Sequence, residues 1–325
     1  MAAQPRPARS VLVTGASGYV GRLVVELLAA ERTEGDKIVA SDLRQAPAGE
    51  RLAGVEYAAL DVRDEAAVDA LVAASAPEVV VHLAAIVTPP KGGEARQLAY
   101  DVDVRGTEHI LEACKAHGVG KVIITSSGAA YGYHPDNPDY IREDAPLRGN
   151  EAFAYSHHKR LVEELLAQWR AHTPALRQLI LRPGTILGPT ANNQITAIFE
   201  RPVILGLKGY ATPFVFIWDR DVAQVIVAGI RDADLDGAFN LAGDGVMTLR
   251  EIAKALHKPF LALPTEVVRK ALALLDRLKL SPYGPEQVMF LQHRPVLANQ
   301  RLKEVMGYRP KTTREAFEIW RRARA

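Results

Sequence analysis

The chain has 325 residues, 48% hydrophobic and 24% charged, which fits about two domains or one large α/β domain with an appendage. Its formal net charge of +2 excludes the strongly basic balance that nucleic acid or an anionic membrane would call for. The single cysteine, Cys114, excludes an intrachain disulfide framework and a cysteine-rich zinc site, and reads as a buried, inert thiol.

The first residues, Met1–Ser10, hold charge and prolines but no apolar run of signal-peptide length. No stretch approaches the roughly 20 apolar residues of a spanning helix, so a cytoplasmic location is expected. Val11–Val13 predicts a strand running into a glycine-rich turn, and Val20–Ala30 a helix. Strands are expected at Lys37–Ala40, Val79–His82, Val122–Ile124 and Leu179–Leu181, with helices over Glu65–Ala74, Val102–His117 and Tyr155–Ala171. These apolar runs lack strict alternation, as strands buried on both faces do. Repeated β-α-β units then predict a doubly wound parallel sheet of about seven strands, with helices on both faces.

After Arg182 the texture changes. A strand-like run at Phe214–Trp218, a helix over Asp221–Arg231 and a last strand at Ala238–Leu241 are expected, followed by helices over Leu249–Leu256, Glu266–Leu278 and Thr313–Ala323. The amphipathic run Glu266–Leu280 suggests core or lid packing rather than a membrane surface. The division expected is a dinucleotide-binding domain over 1–182, with 206–242 returning to it. A smaller, mainly helical substrate domain would be built from 183–205 and 243–325.

Three glycines follow the first strand as Gly15-x-x-Gly18-x-x-Gly21, with Tyr19 and Val20 opening the helix. Glycine lets the backbone turn sharply and approach a pyrophosphate, and the helix start offers N–H groups to the anion. Asp42 lies 21 residues beyond Gly21, after the next strand. A carboxylate there accepts hydrogen bonds from the adenosine ribose and repels a 2′-phosphate, which favours NAD over NADP. Arg44 nearby weighs the other way.

Tyr155 and Lys159 stand four apart on a predicted helix and share a face. A nearby ammonium favours phenolate, so the phenol, which ionises at about 10 when unperturbed, is expected closer to neutrality as a general acid/base. The lysine could also hold the cofactor's ribose hydroxyls. Thr125-Ser126-Ser127-Gly128 follows a strand, where ligands of doubly wound sheets bind. Ser127 is the hydroxyl chosen to bond the reacting oxygen, with Ser126 its competitor. The histidines offer no metal spacing with carboxylates, and no metal is expected.

Together these residues resemble the extended short-chain dehydrogenase/reductase superfamily, in its NAD-dependent epimerase/dehydratase branch. The likeness also takes in Asp61-Val62, His82-Leu83-Ala84-Ala85, Leu181-Arg182-Pro183-Gly184-Thr185, Phe216–Ala223, Phe239–Gly243 and Gly307–Pro310, nearly the whole chain. The resemblance implies Ser127, Tyr155 and Lys159 as catalytic residues. It implies a cofactor site of Gly15, Gly18, Tyr19, Val20, Gly21, Asp42, Asp61, Val62, Leu83, Ala84, Ala85, Tyr155, Lys159, Pro183 and Thr185. Asp61 and Val62 would lie near the adenine, and the Pro183 segment near the nicotinamide. It also implies a homodimer through the helices at Val102–His117 and Tyr155–Ala171.

The chain departs from the family in ways that bear on substrate. The Asp-Glu pair of the 4,6-dehydratases is replaced by Gly128 and Ala129, which excludes that dehydration. Thr185 replaces a common asparagine, and Gly209–Phe214 lacks a pyrophosphate-gripping arginine, although Arg294 matches a second one. Asp103 stands where an asparagine is common before Val104-Arg105-Gly106-Thr107. The expected activity is reversible hydride transfer at a secondary alcohol: epimerisation of a sugar or nucleotide sugar. The alternatives are net dehydrogenation of a sugar acid, steroid-like or other carbonyl compound, and a non-catalytic NAD sensor.

Overall fold

The computed structural model describes residues 9–87, 93–278, 280 and 284–324; Met1–Ala8 of the leading segment lie outside the described residues. Seven strands form the main sheet: β1 (Ser10–Thr14), β2 (Lys37–Asp42), β3 (Val55–Ala59), β4 (Val79–His82), β5 (Lys121–Thr125), β6 (Arg177–Pro183) and β7 (Gly237–Leu241). Their order is β7-β6-β5-β4-β1-β2-β3, and every neighbouring pair is parallel. The chain leaves β1 toward β2 on one side and returns to β4 on the other. The strand order therefore reverses between β1 and β4, and the crevice for a ligand opens beyond their carboxyl ends.

The strands feed two cores by alternation. Val11, Val13, Val79 and Val81 point to one face, against Val24 and Val25 of α1 (Tyr19–Ala30) and Val222, Ile226 and Ile230 of the Asp219–Arg231 helix. Leu12, Val80, Val122 and Ile124 point to the other, against α2 (Glu65–Ser75) and the helices at Gly106–Ala116 and Ala154–His172. Each such side chain contributes about 1.5–3 kcal/mol relative to exposure. Cys114 lies in this second core, where burial pushes its thiol up to about 12, so it is not a nucleophile at neutral pH.

The remaining chain builds a smaller lobe. Its strands pair in twos: Thr185–Leu187 with Phe216–Trp218, Ile204–Leu207 with Phe260–Leu263, and Pro213–Phe214 with Met247–Thr248. An aromatic core of Phe199, Phe214, Phe216, Phe317 and Trp320 holds it together, with rings meeting edge-on or stacked. The expected single run Phe214–Trp218 is thus two short strands facing different partners. The Thr265–Arg277 helix buries none of its residues, and Val267, Leu274 and Leu275 lie on the surface, so of the core or lid packing expected of that run the core packing is not met.

The expected helix over Val102–His117 also differs. α3 (Gly93–Tyr100) runs into one π-helical turn at Asp101–Arg105 and then into α4 (Gly106–Ala116). The extra residue of a π turn rotates the side chains that follow it, and here Asp103 and Val104 are buried. Gly106 sits where a β-carbon would lie 2.7 Å from Val62.

α5 (Ala154–His172) presents a polar stripe inward: Ser156, Lys159 and Glu163 are all buried. Glu163 is gripped by Arg182 of β6, with Nε donating at 2.9 and 3.0 Å and Nη2 at 2.6 Å. Arg182 Nη1 also donates to the Tyr131 hydroxyl at 2.6 Å, and that hydroxyl donates to Asn240 of β7 at 2.9 Å. Removing one member of a buried pair strands the other charge. Arg182→Met is therefore expected to lower stability by about 3–5 kcal/mol, with much of the loss recovered when Glu163→Leu is added. Urea unfolding of the two variants checks this; equal losses for single and double variants would contradict it.

Candidate active site

The glycine turn is locked by close backbone approach. Gly15 has φ +69°, and a β-carbon on it would lie 2.6 Å from the Ala84 nitrogen. A β-carbon on Gly21 would lie 2.2 Å from the Gly15 carbonyl oxygen. Both glycines are thus needed to seat α1 against β1 and the Leu83–Ala84 segment, where Leu83 N–H donates to Thr14 O at 3.1 Å. Gly18 is the N-cap of α1 and supplies no side-chain oxygen. The first turn, which Tyr19, Val20 and Gly21 open, has no acidic side chain. Its N–H groups and the helix dipole therefore suit an anion from the ligand. The Tyr19 hydroxyl donates to Asp219 at 2.6 Å, tying α1 to α6 (Asp219–Arg231), and burial pushes its pKa far above the ordinary phenol value.

Asp42 ends β2 beside this turn. Its carboxylate accepts from Ser17 N–H at 2.9 Å and Leu43 N–H at 2.7 Å, which fixes it at the sheet's carboxyl edge. Asp61 is forked by Arg63, with Nε at 3.0 and 3.1 Å, and this pairing holds its carboxyl below the usual range. The neighbouring Val62 is buried. Leu83, Ala84 and Ala85 continue from β4 along the same edge.

Ser127, Tyr155 and Lys159 are brought together at the end of β5. Ser127 caps the 3-10 turn Gly128–Tyr131, its Oγ accepting from Ala129 N–H at 3.1 Å. That leaves its own proton to donate, and the Tyr155 phenol lies beside it. Ser126 points elsewhere, donating to Glu163 Oε1 at 2.5 Å. Lys159 is buried, donates to the Thr125 carbonyl at 3.0 Å, and has its Nζ 5.7 Å from the Tyr155 ring centre. Gly128 could not carry the acidic side chain of a dehydratase without displacing Leu297, whose Cδ1 would lie 2.9 Å from a β-carbon there.

The expectation that Lys159 brings the phenol toward neutrality is not met by these groups alone. Burial pushes Tyr155 up to about 12; the Ser127 hydroxyl opposes the shift and Asp103 adds to it. Burial also lowers the proton affinity of Lys159 itself, while Asp103 and Glu163 support its charge. Desolvation disfavours the charged form of both side chains and is the largest cause of each shift.

His82 lies beneath this set, its Nδ1 2.7 Å from Thr14 Oγ1 and its Nε2 3.2 Å from Thr107 Oγ1. Thr107 donates to the Asp103 carbonyl, so it receives the Nε2 proton and Nδ1 accepts from Thr14. Burial takes His82 down to about 3, and it is a neutral spacer at neutral pH.

On the lobe side, Pro183 ends β6 and Thr185 begins the short strand beyond it. Thr185 Oγ1 accepts from Arg294 Nη2 at 3.1 Å. Arg294 is sandwiched between Phe214 and Phe290, 4.1 and 4.3 Å from their ring centres. Its Nε and Nη1 are buried and bond to no group among the described residues, and burial lowers its pKa to about 10. Phe290 continues into a cluster with Tyr133 and Phe153. The Thr185 link and the aromatic cluster join segments far apart in sequence, and only the match at Arg294 hinted at them. Among the described residues no group of three or more His, Cys, Asp or Glu side chains could hold a metal, and no helix is long and apolar enough to cross a membrane.

A family model described as "Epimerase: NAD dependent epimerase/dehydratase family" matches residues 11–242. The chain belongs to that family. Among its relatives, "Uncharacterized protein Rv0501" of Mycobacterium tuberculosis is 24% identical over 98% of this chain and 85% of its own length. "UDP-glucose 4-epimerase 4" of Oryza sativa subsp. japonica is 31% identical over 71% of this chain and 65% of its own. The solved UDP-glucose 4-epimerase of Thermus thermophilus, in complex with NAD, has a TM-score of 0.72 at 24% identity, over 96% of this chain and 98% of that one. The Bordetella bronchiseptica enzyme WbmG, in complex with NAD and UDP, has a TM-score of 0.75 at 16% identity, over 98% and 94%. These likenesses show the same Rossmann-type fold.

Family membership makes NAD the cofactor, and the residues present suit it: a glycine turn at a helix start, a fixed carboxylate at Asp42 and a buried lysine, Lys159, beyond the end of β5. Asp42→Ala is expected to weaken NAD binding by about 1.5–3 kcal/mol, the worth of hydrogen bonds to a charged group, and to narrow the preference over NADP. Calorimetric titration with both dinucleotides measures this; an unchanged ratio would contradict the role of Asp42.

Proposed function

We propose that the protein is an epimerase that moves a hydride reversibly at a secondary alcohol carbon of a sugar, with a nucleotide sugar as the leading substrate class. The observation that carries this reading is the convergence of Ser127, Tyr155 and Lys159 at the end of β5, with Lys159 Nζ 5.7 Å from the centre of the phenol ring. When bound, NAD accepts hydride from the alcohol carbon and can return it. Tyr155 takes the hydroxyl proton as the oxygen becomes a carbonyl, and Ser127 donates a hydrogen bond to that oxygen. Lys159 holds positive charge near the phenol and would hold the cofactor's ribose hydroxyls. Gly15, Gly18 and the first turn of α1 would hold the pyrophosphate, Asp42 the adenosine ribose, and Asp61, Val62 and Leu83–Ala85 the length of the cofactor. Pro183 and Thr185 would border the nicotinamide. Arg294 supports an anionic substrate, since two of its guanidinium nitrogens are buried without a partner among the described residues, and a phosphate would supply acceptors.

Turnover in the oxidising direction needs phenolate. Because burial raises the Tyr155 pKa, the rate is expected to climb with pH from neutrality upward, and a flat profile would contradict the role. Tyr155→Phe should cut kcat by about 10²–10⁴-fold, the usual worth of general acid–base catalysis, while NAD still binds. Incubation with NAD and UDP-glucose, the compound named for several relatives, is expected to yield its C4 epimer with no build-up of NADH. Stoichiometric NADH release would favour the net dehydrogenase instead.

A further inference from the structure

The Thr265–Arg277 helix holds an apolar face out in water. Val267, Leu274 and the C-cap Leu278 are 53%, 58% and 55% exposed, and Leu275 is 38% exposed. With Ala271, also exposed, the residues Val267, Ala271, Leu274 and Leu278 recur at spacings of four, three and four, which sets them in one line along the helix. Leu275 widens that line to an arc of about 100°. The next edge round is the one that packs: Val268, Leu272 and Asp276 are half-buried, and the helix meets the Gln287–Gln292 helix. Contiguous apolar surface left exposed in this way marks an interaction site.

The charges of this helix are sorted around the arc. Lys270 stands three residues after Val267 and four before Leu274, and Arg277 three after Leu274, so both cations border the arc on its solvent side. The two acids stand off from it: Glu266 is paired with Arg269 at 2.7 Å, and Asp276 is on the packed edge. An apolar arc with long cationic side chains along its exposed rim suits a lipid–water boundary, where the apolar groups enter the acyl chains and the cations reach the headgroups. A second copy of the helix suits it less. Taken as a coiled-coil seam, the line puts Lys270 and Arg277 both at g positions. An antiparallel pair would set cation against cation, and a parallel pair would set them against Val268 and Leu275, with no carboxylate to meet. The whole chain carries only +2, so the attraction to an anionic surface is local and works together with the apolar arc.

We propose that the exposed face of the Thr265–Arg277 helix docks on the surface of an anionic lipid bilayer, with the helix lying in the boundary and not crossing it. The proposal is independent of the reaction at Tyr155. The Gln287–Gln292 helix, which the docking helix meets, also carries Phe290 of the Arg294 sandwich, so the docking face adjoins the part of the lobe that holds Arg294.

The test floats the full chain with vesicles of phosphatidylcholine alone and with vesicles in which about a third of the lipid is phosphatidylglycerol. Binding to the anionic vesicles only is expected. Each cation near such a surface is worth about a fivefold change in partitioning, so Lys270→Gln with Arg277→Gln should weaken binding about 25-fold, and Leu274→Asp should abolish it. These side chains are exposed, and NAD binding by the variants should be unchanged. An environment-sensitive dye on Ala271→Cys, the native Cys114 being buried, should shift to shorter wavelength when anionic vesicles are added. No binding, equal binding to both vesicles, or binding that survives Leu274→Asp overturns the proposal. A dye shift caused by NAD and UDP-glucose without vesicles would make the helix a lid, and one caused by protein concentration alone would make it a contact between copies; either overturns it as well.

Discussion

A helix laid against a parallel sheet ordinarily turns an apolar face inward, but α5 turns Ser156, Lys159 and Glu163 to the sheet. The cost of burying those groups falls only if each is met by a partner. Ser156 Oγ donates to the Ala129 carbonyl at 2.7 Å, and Lys159 to that of Thr125. Glu163 is met by Arg182 and Ser126. The partners come from β5, β6 and the turn after β5, so the helix can dock in one register and rotation only. That single solution places Tyr155, one residue before Ser156, beside Ser127. The placement of Tyr155 is in this sense a by-product of satisfying buried polar groups.

The same dry setting works against the chemistry it positions. A low dielectric strengthens the attraction between Lys159 and a phenolate, yet it disfavours forming either charge. In the protein's own groups desolvation wins, and the phenol stays neutral well above physiological pH. A positively charged nicotinamide in the crevice would add to the Lys159 field and move the balance toward phenolate.

Much of this was legible in the residues themselves. Gly15, Gly18 and Gly21 sit between a strand and a helix, and the structure supplies the reason: β-carbons at Gly15 and Gly21 would collide with backbone. The apolar runs gave the parallel sheet because strands buried on both faces need no polar positions. Tyr155 and Lys159 announced a shared helix face by their spacing. Other features were hidden because they depend on tertiary context. A π turn has no periodicity signal of its own, so the helix around Asp103 read as continuous. The sandwich of Arg294 between Phe214 and Phe290, and its bond to Thr185, joins residues that only folding brings together. The Thr265–Arg277 helix shows the limit of periodicity, since amphipathic spacing alone did not say that its apolar face stays out of the core.

The central claim is spatial: a dinucleotide seated on the N-terminal glycine turn must bring its nicotinamide to the Tyr155 hydroxyl. A crystal structure with NAD bound tests this most directly. The account predicts the pyrophosphate against the start of α1, the adenosine ribose on Asp42, and the nicotinamide ring facing Tyr155 with Ser127 alongside. A dinucleotide bound elsewhere, or a nicotinamide walled off from Tyr155 by other side chains, would contradict it.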